Sequence, residues 1–283
     1  MDSAELILTH LEALYHTIVQ AVTTDSSAAW GELGQNAKGD QVKWFDLAAD
    51  RAVCAYLEQQ FPCPVTLLSE EGEPRSFGRG EPEWTMVLDP VDGSENFSRG
   101  LAPAGTALAL IPAGLPVAVD TVEFALVGSL YRSQVWRAAR GKGAWRDGHR
   151  LRPSATTRLA EAIINCDVTG ATVQPALSEV LAQARSVRSF GATTITLVNV
   201  ADGSLEAHLD LRGQLTAENF LAPGLIIREA GGMITGAHGE SLPPLQSLTD
   251  CYSLIVAANP ELHAILLQQL NTVSGDENVI ARP

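Results

Sequence analysis

The chain has 283 residues, of which 46% are apolar and 18% are charged, so it contains enough apolar material for a core and too little charge for a disordered chain. Nineteen basic and 33 acidic side chains give a formal net charge of −14, which disfavours electrostatic binding to nucleic acid or to anionic membranes. The sequence has no run of about 18 apolar residues, the length that a membrane-spanning helix requires.

The N-terminus and the cysteines indicate the cellular compartment. Residues 1–20 carry Asp2 and Glu5 and show helical spacing, whereas a signal peptide has a basic start and a small-residue cleavage site. The cysteines form no CxxC pair, which is typical of reduced thiols. They are Cys54, Cys63, Cys166 and Cys251. These features predict a cytoplasmic protein.

The first half of the chain predicts two helices followed by a series of strands. Apolar residues at helical spacing predict helices over 4–22 and 46–61, with a polar, glycine-rich loop over 31–39 between them. Short apolar runs bounded by turn residues predict the strands. These strands cover residues 65–68, 84–88, 106–111, 116–124 and 134–138.

The second half of the chain predicts alternating strands and helices, which is typical of an α/β fold. Predicted strands cover 161–167, 205–209 and 253–257, and predicted helices cover 175–184, 193–201, 219–229 and 260–271. The pattern changes after Pro153, behind a stretch that contains three glycines. We therefore expect two domains, an α+β domain over 1–152 and an α/β domain over 153–283.

The most informative segment covers residues 84–97 and reads WTMVLDPVDGSENF. An apolar strand ends at Asp89, Pro90 stops strand pairing and Gly93 permits a tight turn. Asp89 and Asp92 should therefore converge at the carboxyl end of one strand, where two carboxylates repel each other unless a cation lies between them. Carboxylate oxygens favour Mg²⁺, Ca²⁺ or Mn²⁺ over zinc.

A second acidic group follows the predicted strand over 65–68. If the two strands are neighbours, Glu70 or Glu71 joins the same site. The turn after Gly93 exposes backbone N–H groups, and such donors beside a cation suit a phosphate oxygen. A DPxDG sequence is by itself a common surface turn, but the apolar strand before it and the second acidic strand end favour a metal site.

These segments resemble the inositol monophosphatase family of Mg²⁺-dependent, lithium-sensitive phosphatases, which includes fructose-1,6-bisphosphatases and 3′-phosphoadenosine-5′-phosphate phosphatases. The family signature W-x-[ILV]-DP-[ILV]-DG-[ST]-x-NF matches residues 84–97, except that two residues separate Trp84 from Val87. Shorter matches follow the family order along nearly the whole chain. They are LSEE at 68–71, AxGxGAW at 139–145, LxxS at 151–154, RSxGA at 188–192, EAGG at 229–232 and AANP at 257–260.

The resemblance implies a layered α-β-α-β-α sandwich and a phosphatase activity. The chain would hydrolyse a small phosphate monoester, such as an inositol phosphate or fructose 1,6-bisphosphate, by attack of a metal-activated water. It would bind two or three Mg²⁺ ions, take a small phosphorylated metabolite as its partner and form a homodimer. Residues 1–152 would carry most metal ligands, and residues 153–283 would complete the metal and substrate site.

The resemblance also implies a role for each matching residue. Glu70, Asp89 and the backbone carbonyl of Val91 would hold the first cation, and Asp89 and Asp92 would hold the second together with position 219. Asp46 resembles the acid that pairs with the motif hydroxyl, here Ser94, and this pair would orient the attacking water together with Glu70. The expected substrate contacts are Gly93, Ser94, Gly191, Ala192 and Arg212.

One departure from the family pattern concerns the second cation. Where the family has a Trp-Asp pair before its EAGG helix, this chain has Glu218 and Asn219. Asn219 can ligate a hard cation through its carbonyl oxygen but lacks the negative charge, or it can cap the helix. Glu218 could compensate only if the helix start is distorted. The alternatives to a working phosphatase are a weakened member that binds a phosphorylated ligand or has a regulatory role, and a plain α/β domain without a metal site.

Arg212 occupies a position at which inositol-specific members carry a carboxylate, seven residues before Asn219. An arginine suits a second phosphate or carboxylate and favours the prokaryotic fructose-bisphosphatase and inositol-phosphatase branch; the alternative is an exposed surface arginine. Lys38 and Lys43 either face the substrate or are mobile surface lysines. The six histidines show no ligand spacing and are expected to be surface or incidental residues.

Overall fold

The structure is a computed structural model that describes residues 3–24, 43–69, 72–170 and 173–272. Within these ranges the chain forms α-helices on both sides of two mixed β-sheets. The helices are α1 Ser3–Thr24, α2 Trp44–Gln59, α3 Ser94–Ser98, α4 Pro175–Gln183, α5 Thr193–Ala201, α6 Leu221–Ala230 and α7 Pro260–Thr272.

The first sheet has eight strands in the order β2-β1-β3-β4-β5-β6-β7-β8. They are β1 Val65–Ser69, β2 Gly72–Phe77, β3 Trp84–Asp92, β4 Gly105–Pro112, β5 Phe124–Ser129, β6 Val135–Ala139, β7 Gly143–Arg146 and β8 His149–Arg150. The second sheet has five strands in the order β10-β9-β11-β13-β12. They are β9 Ile163–Cys166, β10 Ser186–Arg188, β11 Ala207–Leu215, β12 Met233–Thr235 and β13 Tyr252–Ala257.

Three apolar clusters lie between five layers of helices and sheets. One lies between α1 and α2 and the first sheet, a central one surrounds α5 and α6 between the sheets, and a third lies between the second sheet and α4 and α7. Successive side chains of β13 contribute to two of these clusters. Leu254 and Val256 belong to the central cluster, and Ile255 and Ala257 belong to the third. This arrangement confirms the expected α-β-α-β-α sandwich.

Most predicted elements are confirmed within a few residues, and the helix over 193–201 has the predicted bounds. The predicted strand over 116–124 is wrong. This segment contains a 3₁₀ turn over Val119–Thr121, and β5 begins only at Phe124. The Thr121 hydroxyl donates to the carbonyl of Pro116 and accepts the N–H of Ala118. These bonds occupy backbone groups that a strand would pair with a neighbour.

The predicted helix over 219–229 has a distorted start. Ala217–Asn219 form a 3₁₀ turn, and α6 begins at Leu221. Pro223 lies in the first turn of α6, where helix N–H groups have no intrahelical acceptor. Position 219 therefore lies in a turn that precedes the helix.

The change from the first to the second sheet falls between Arg150 and Ile163, and the central cluster contains residues from both sheets. The division into domains over 1–152 and 153–283 stays a prediction. The predicted loop over 31–39 and Lys38 lie outside the described residues. Among the helices that are described, none is long and apolar enough to cross a membrane.

Candidate functional site

The ends of β1 and β3 lie side by side. The two strands are parallel neighbours, with Ser69 opposite Leu88, so Asp89 follows at the shared carboxyl end. This pairing confirms that the two strands are neighbours. Glu70 and Glu71 follow Ser69 directly but lie outside the described residues, so the catalytic and ligand roles of Glu70 stay predictions.

Asp89 is held in a fixed orientation at this strand end, and only 2% of the residue is exposed. Its Oδ1 accepts the backbone N–H of Val91 at 3.1 Å, and its Oδ2 accepts an Nδ2–H of Asn219 at 2.8 Å. The pairing of β3 with β4 shifts register between Asp89 and Asp92. Such an irregularity re-aims side chains, and here it brings two carboxylates to the end of one strand.

Asp92 is anchored by the start of α5. Its Oδ2 accepts both the backbone N–H and the hydroxyl of Thr194, each at 2.7 Å. Burial raises the pKa of Asp92 from 3.8 to about 6; the bonds from Thr194 oppose the rise and the charge of Asp167 adds to it. In the described part of the chain, no lysine or arginine forms an ion pair with Asp92.

The chemistry of these donors fits a hard divalent cation. Asp89 and Asp92 are buried carboxylates, and the contacts described above come from N–H and O–H groups that carry no positive charge. A divalent ion with oxygen preference would supply positive charge. The residues at this strand end therefore suit Mg²⁺.

The turn at Gly93 packs closely against the turn at Gly191 and Ala192. Gly93 has a φ of +78°, and a Cβ there would lie 2.9 Å from the Cβ of Ala192 and 3.1 Å from the carbonyl oxygen of Gly191. A side chain would thus be strained by both backbone and contact. The structure brings together the predicted substrate contacts Gly93, Gly191 and Ala192, with Ser94 next in the chain at the start of α3.

Two asparagines hold the peptide groups of Phe190 from opposite sides. The Nδ2 of Asn96, in α3, donates to the carbonyl oxygen of Phe190 at 2.7 Å. The N–H of Phe190 donates to Oδ1 of Asn165, in β9, at 3.0 Å. The turn that contacts Gly93 is therefore fixed by α3 and by the second sheet. Sequence reasoning did not identify Asn165, since its partner is 25 residues away.

Asp46 lies in the first turn of α2, next to α3. Its Oδ2 accepts the N–H of Lys43 at 2.7 Å. The rings of Phe45 and Phe97 are 5.0 Å apart, and Nζ of Lys43 lies 3.2 Å from a carboxylate oxygen of Glu95. These contacts place the start of α2 against the helix that Ser94 opens. The pairing of Asp46 with Ser94 stays a prediction, and Lys43 belongs to the contact between α2 and α3.

Asn219 contacts the motif carboxylate through its nitrogen. Its Nδ2 donates to Asp89, while its Oδ1 lies 3.2 Å from the hydroxyl of Thr216. The same hydroxyl donates to Oε1 of Glu218 at 2.5 Å, and Glu218 is only 2% exposed. The N-cap position of α6 is taken by Phe220, without a side-chain cap. Asn219 is therefore not the cap of α6, and Glu218 points into the same buried region.

Arg212 forms an internal ion pair. Its Nε donates to Oδ1 of Asp210 at 2.9 Å and its Nη2 donates to Oδ2 at 2.5 Å, while Asp210 is fully buried. These hydrogen bonds raise the pKa of Arg212. The alternative of an exposed surface arginine is wrong, because only 17% of the side chain is exposed. The guanidinium group is bound by a carboxylate of its own strand.

A second polar cluster lies on one face of β9 and β11. One ligand atom from each of Asp167, His208 and Asp210 lies within 4.8 Å of the others, so by distance this is a possible metal-binding group. The expectation that the histidines are surface or incidental residues is wrong for His208, which is fully buried. Residues 208 and 210 share one face of β11, but the predicted strand ended at residue 209 and did not include Asp210.

The hydrogen bonds around His208 argue against a cation in this second cluster. Phe190 offers Asn165 an N–H, so Oδ1 of Asn165 must face it and Nδ2 faces Nδ1 of His208, 3.0 Å away. Nδ1 is then an acceptor, and the ring carries its proton on Nε2. A protonated Nε2 cannot ligate a metal but can donate to a hydroxyl oxygen, and within the described residues this buried nitrogen has no partner.

Comparisons with known proteins identify the family of the chain. The sequence profile described as "Inositol monophosphatase family" matches residues 4–274, so the chain belongs to that family, as its motifs predicted. A "Fructose-1,6-bisphosphatase/inositol-1-monophosphatase" of Methanothermobacter thermautotrophicus is 29% identical over 242 residues, which cover 84% of this chain and 86% of the relative. An "Inositol-1-monophosphatase" of Bacillus subtilis is 24% identical, over 81% of this chain and 83% of the relative.

Solved structures share the fold. The extragenic suppressor protein suhB from Bartonella henselae superposes with a TM-score of 0.77 at 22% identity, covering 94% of this chain and 99% of that one. A structure titled as an inositol monophosphatase–fructose 1,6-bisphosphatase also gives a TM-score of 0.77, at 24% identity, over 95% of this chain and all of that one. These neighbours confirm the fold of the family.

Proposed function

We propose that the chain is a Mg²⁺-dependent phosphatase that hydrolyses a small phosphate monoester. The observation that carries the proposal is the pair of buried carboxylates, Asp89 and Asp92, beside the glycine turn that packs against residues 191–192. Membership of the inositol monophosphatase family, whose relatives are named as phosphatases, supports the reaction class.

The proposed reaction needs little chemistry from the chain beyond positioning and charge. A bound divalent cation would supply charge neutralisation at the ester and a lower pKa for water. Asp89, Asp92, Glu70, Asn219 and the Val91 carbonyl would hold such ions. Water then attacks phosphorus as the bond to the leaving oxygen breaks, giving an alcohol and inorganic phosphate without an intermediate on the chain.

The remaining residues of the proposed site orient the reactants. Asp46 and Ser94 would orient the attacking water together with Glu70 and accept its proton. The N–H groups at Gly93 and Ser94 would hold the phosphate oxygens, whose charge grows in the transition state. The close contact between Gly93 and Ala192 supports this assignment, because it fixes the position of the turn whose N–H groups would bind the phosphate.

The surroundings of Arg212 favour a polyol monophosphate over a bisphosphate. Arg212 is bound to Asp210, and Asp167 lies beside them, so two carboxylates surround one guanidinium and a second phosphate would be repelled. A hydroxyl group, unlike a phosphate, can donate a hydrogen bond to a carboxylate oxygen and is not repelled by its charge. We therefore expect faster hydrolysis of an inositol monophosphate than of fructose 1,6-bisphosphate.

A second candidate is a weakened member that binds a phosphorylated ligand without efficient hydrolysis. The hydrogen bond from Asn219 to Asp89 favours this candidate, because it occupies a carboxylate oxygen with a neutral donor. The candidate predicts that a phosphate ester binds in the presence of Mg²⁺ while phosphate release stays at the background rate.

The test is a phosphate-release assay, with and without Mg²⁺, on inositol 1-phosphate, fructose 1,6-bisphosphate and 3′-phosphoadenosine 5′-phosphate. We expect release that requires Mg²⁺ and disappears in Asp89→Asn. The exposed Asp120, which pairs with Arg228, supplies the control Asp120→Asn with full activity. Ester binding without release in the wild-type chain would favour the second candidate, and no binding would contradict both.

The proposal includes a homodimer and a cytoplasmic location. Both rest on the family resemblance and on the sequence features described above. Light scattering of the purified chain tests the first, since a dimer has twice the 30.1 kDa mass of the chain. Fractionation of cells that express the chain tests the second.

A further inference from the structure

A short hydrogen-bonded series links Asp89 to Glu218 through the amide of Asn219. Nδ2 of Asn219 donates to Asp89 at 2.8 Å, and Oδ1 of Asn219 lies 3.2 Å from the hydroxyl oxygen of Thr216. The same hydroxyl lies 2.5 Å from Oε1 of Glu218. Asp89 and Glu218 are buried, so the interactions in this series are strengthened by their low-dielectric surroundings.

The hydroxyl of Thr216 has one proton, and Oε1 of Glu218 and Oδ1 of Asn219 both lie within hydrogen-bond distance of it. The contact with Glu218 is shorter than the contact with Asn219, 2.5 Å against 3.2 Å, and its acceptor is a carboxylate. A charged acceptor forms the stronger bond. The proton therefore goes to Glu218, and the hydroxyl oxygen keeps lone pairs that can accept an N–H.

The amide of Asn219 can exchange its two ends by rotation about its last side-chain bond, since the two ends have nearly the same shape. In the structure, the nitrogen faces Asp89. After rotation, Nδ2 would donate to the oxygen of Thr216, and Oδ1 would face the carboxylate of Asp89. Two oxygens face each other favourably only when a cation lies between them.

We propose that Asn219 is a two-orientation ligand: its nitrogen binds Asp89 when no cation is present, and its oxygen turns to the cation when one is bound, with the Thr216–Glu218 pair accepting the released nitrogen. This inference rests on the proposed function. Thr216 and Glu218 are positioning residues, because they act through Asn219. The arrangement explains how a neutral amide can serve at a position that carries aspartate in the family pattern.

The test measures Mg²⁺ binding to the full chain by titration calorimetry in three variants. Thr216→Val keeps the shape of the side chain but removes the oxygen that accepts the rotated amide, so Mg²⁺ affinity falls by about fivefold, the effect of one neutral hydrogen bond. Thr216→Ser restores the affinity to within about twofold. Glu218→Gln frees the proton for Oδ1 of Asn219, which stabilises the unrotated amide, so affinity falls in the same direction.

The variant Asn219→Asp distinguishes a loss of amide rotation from general damage to the site. In Asn219→Asp, both ends of the side chain are oxygens, so rotation changes nothing; Mg²⁺ binds more tightly than in the wild type, and adding Thr216→Val changes affinity by less than about twofold. Thr235→Val, which removes a half-buried hydroxyl bonded to His263, is the matched control and leaves Mg²⁺ affinity unchanged.

A spectroscopic measurement follows the amide itself. The side-chain NH₂ resonances of Asn219, assigned by their loss in Asn219→Asp, shift on Mg²⁺ titration of the wild type. In Thr216→Val they shift at correspondingly higher Mg²⁺ concentration. Wild-type affinity in both Thr216→Val and Glu218→Gln, or an unchanged Asn219 signal at saturating Mg²⁺, overturns the inference. Phosphate release by the wild-type chain, measured in parallel, reports on the proposed function separately.

Discussion

The molecule has two pairs of buried carboxylates, a first pair of Asp89 and Asp92 at the end of β3 and a second pair of Asp167 and Asp210 beside β9 and within β11, and the chain compensates them in different ways. Asp210 is bound by the fork of Arg212, with Asp167 beside it on the neighbouring strand. The hydrogen bonds described above for Asp89 and Asp92 come from neutral donors instead. A carboxylate with its own arginine can be buried without a metal, whereas neutral donors orient a carboxylate and leave its charge for a cation.

The two pairs also show that orienting a carboxylate and neutralising its charge are separate effects. Thr194 and Asn219 orient oxygens of Asp92 and Asp89 through hydrogen bonds of 2.7 and 2.8 Å, and Arg212 orients those of Asp210 through a bond of 2.5 Å. Only the arginine changes the net charge of its pair. The burial of Asp92 consequently raises its pKa to about 6, which is the expected sign for a buried acid without a cation.

The largest effect is expected for Asp89→Asn. Removing this charge should lower Mg²⁺-dependent phosphate release by about 10³-fold, equivalent to about 4 kcal/mol of transition-state stabilisation. Asp167→Asn, in the second pair, should leave Mg²⁺ affinity within about twofold when measured by calorimetry. Equal losses of Mg²⁺ affinity in the two variants would remove the distinction between the pairs.

The next effect concerns the arginine of the second pair. Arg212→Met leaves Asp210 buried without its cation and should lower the free energy of unfolding by about 4 kcal/mol, measured by urea denaturation. Its effect on phosphate release from a monophosphate and from a bisphosphate should be equal. A selective loss with the bisphosphate would restore the interpretation that Arg212 binds a second phosphate.

The free energy of unfolding should depend on pH through Asp92, a member of the first pair. Its folded pKa lies above its unfolded value of 3.8, so its contribution is fully favourable below pH 3.8 and is lost as pH rises to about 6, by about 3 kcal/mol. Urea unfolding in EDTA between pH 4 and 7 measures this loss. Asp92→Asn should abolish it, and Mg²⁺ should reduce it; a pH-independent stability in EDTA would contradict the assignment.

The smallest effect concerns His208. Burial lowers the pKa of His208 below the ordinary value of a histidine, so we expect a neutral ring with its proton on Nε2 at pH 7, which adds no charge to the second pair. Nitrogen-15 NMR of histidine-labelled protein tests this, with His263 as the comparison because burial lowers its pKa too. A doubly protonated His208 would mean that two cations of the chain compensate this pair.

Local patterns in the sequence predicted the first pair but not the second. Asp89 and Asp92 are three residues apart in the sequence, so a strand, a proline and a glycine were sufficient to predict that both lie at one strand end. Asp167 meets Asp210 only because β9 pairs with β11, and such a non-local pairing has no local signature. Asp210, the partner of Arg212, could have been predicted from the sequence, since alternate residues of a strand share a face. The predicted strand ended at residue 209, so the pair was missed.

The orientations of the side chains could not be predicted from the sequence either. The substitution of Asn219 was visible, but which end of its amide faces Asp89 depends on Thr216 and on the 3₁₀ turn that precedes α6. The wrong strand over 116–124 has a similar origin, because a single threonine hydroxyl occupied the backbone groups. Hydrogen-bond competition of this kind is decided by three-dimensional context.

The bond between Thr194 and Asp92 has a consequence for how the molecule opens. It ties the first turn of α5, which lies between the sheets, to the end of a strand in the first sheet. An ion that immobilises Asp92 therefore also immobilises α5, and chelation should accelerate amide hydrogen exchange at the start of α5 before it affects α1, on the opposite side of that sheet.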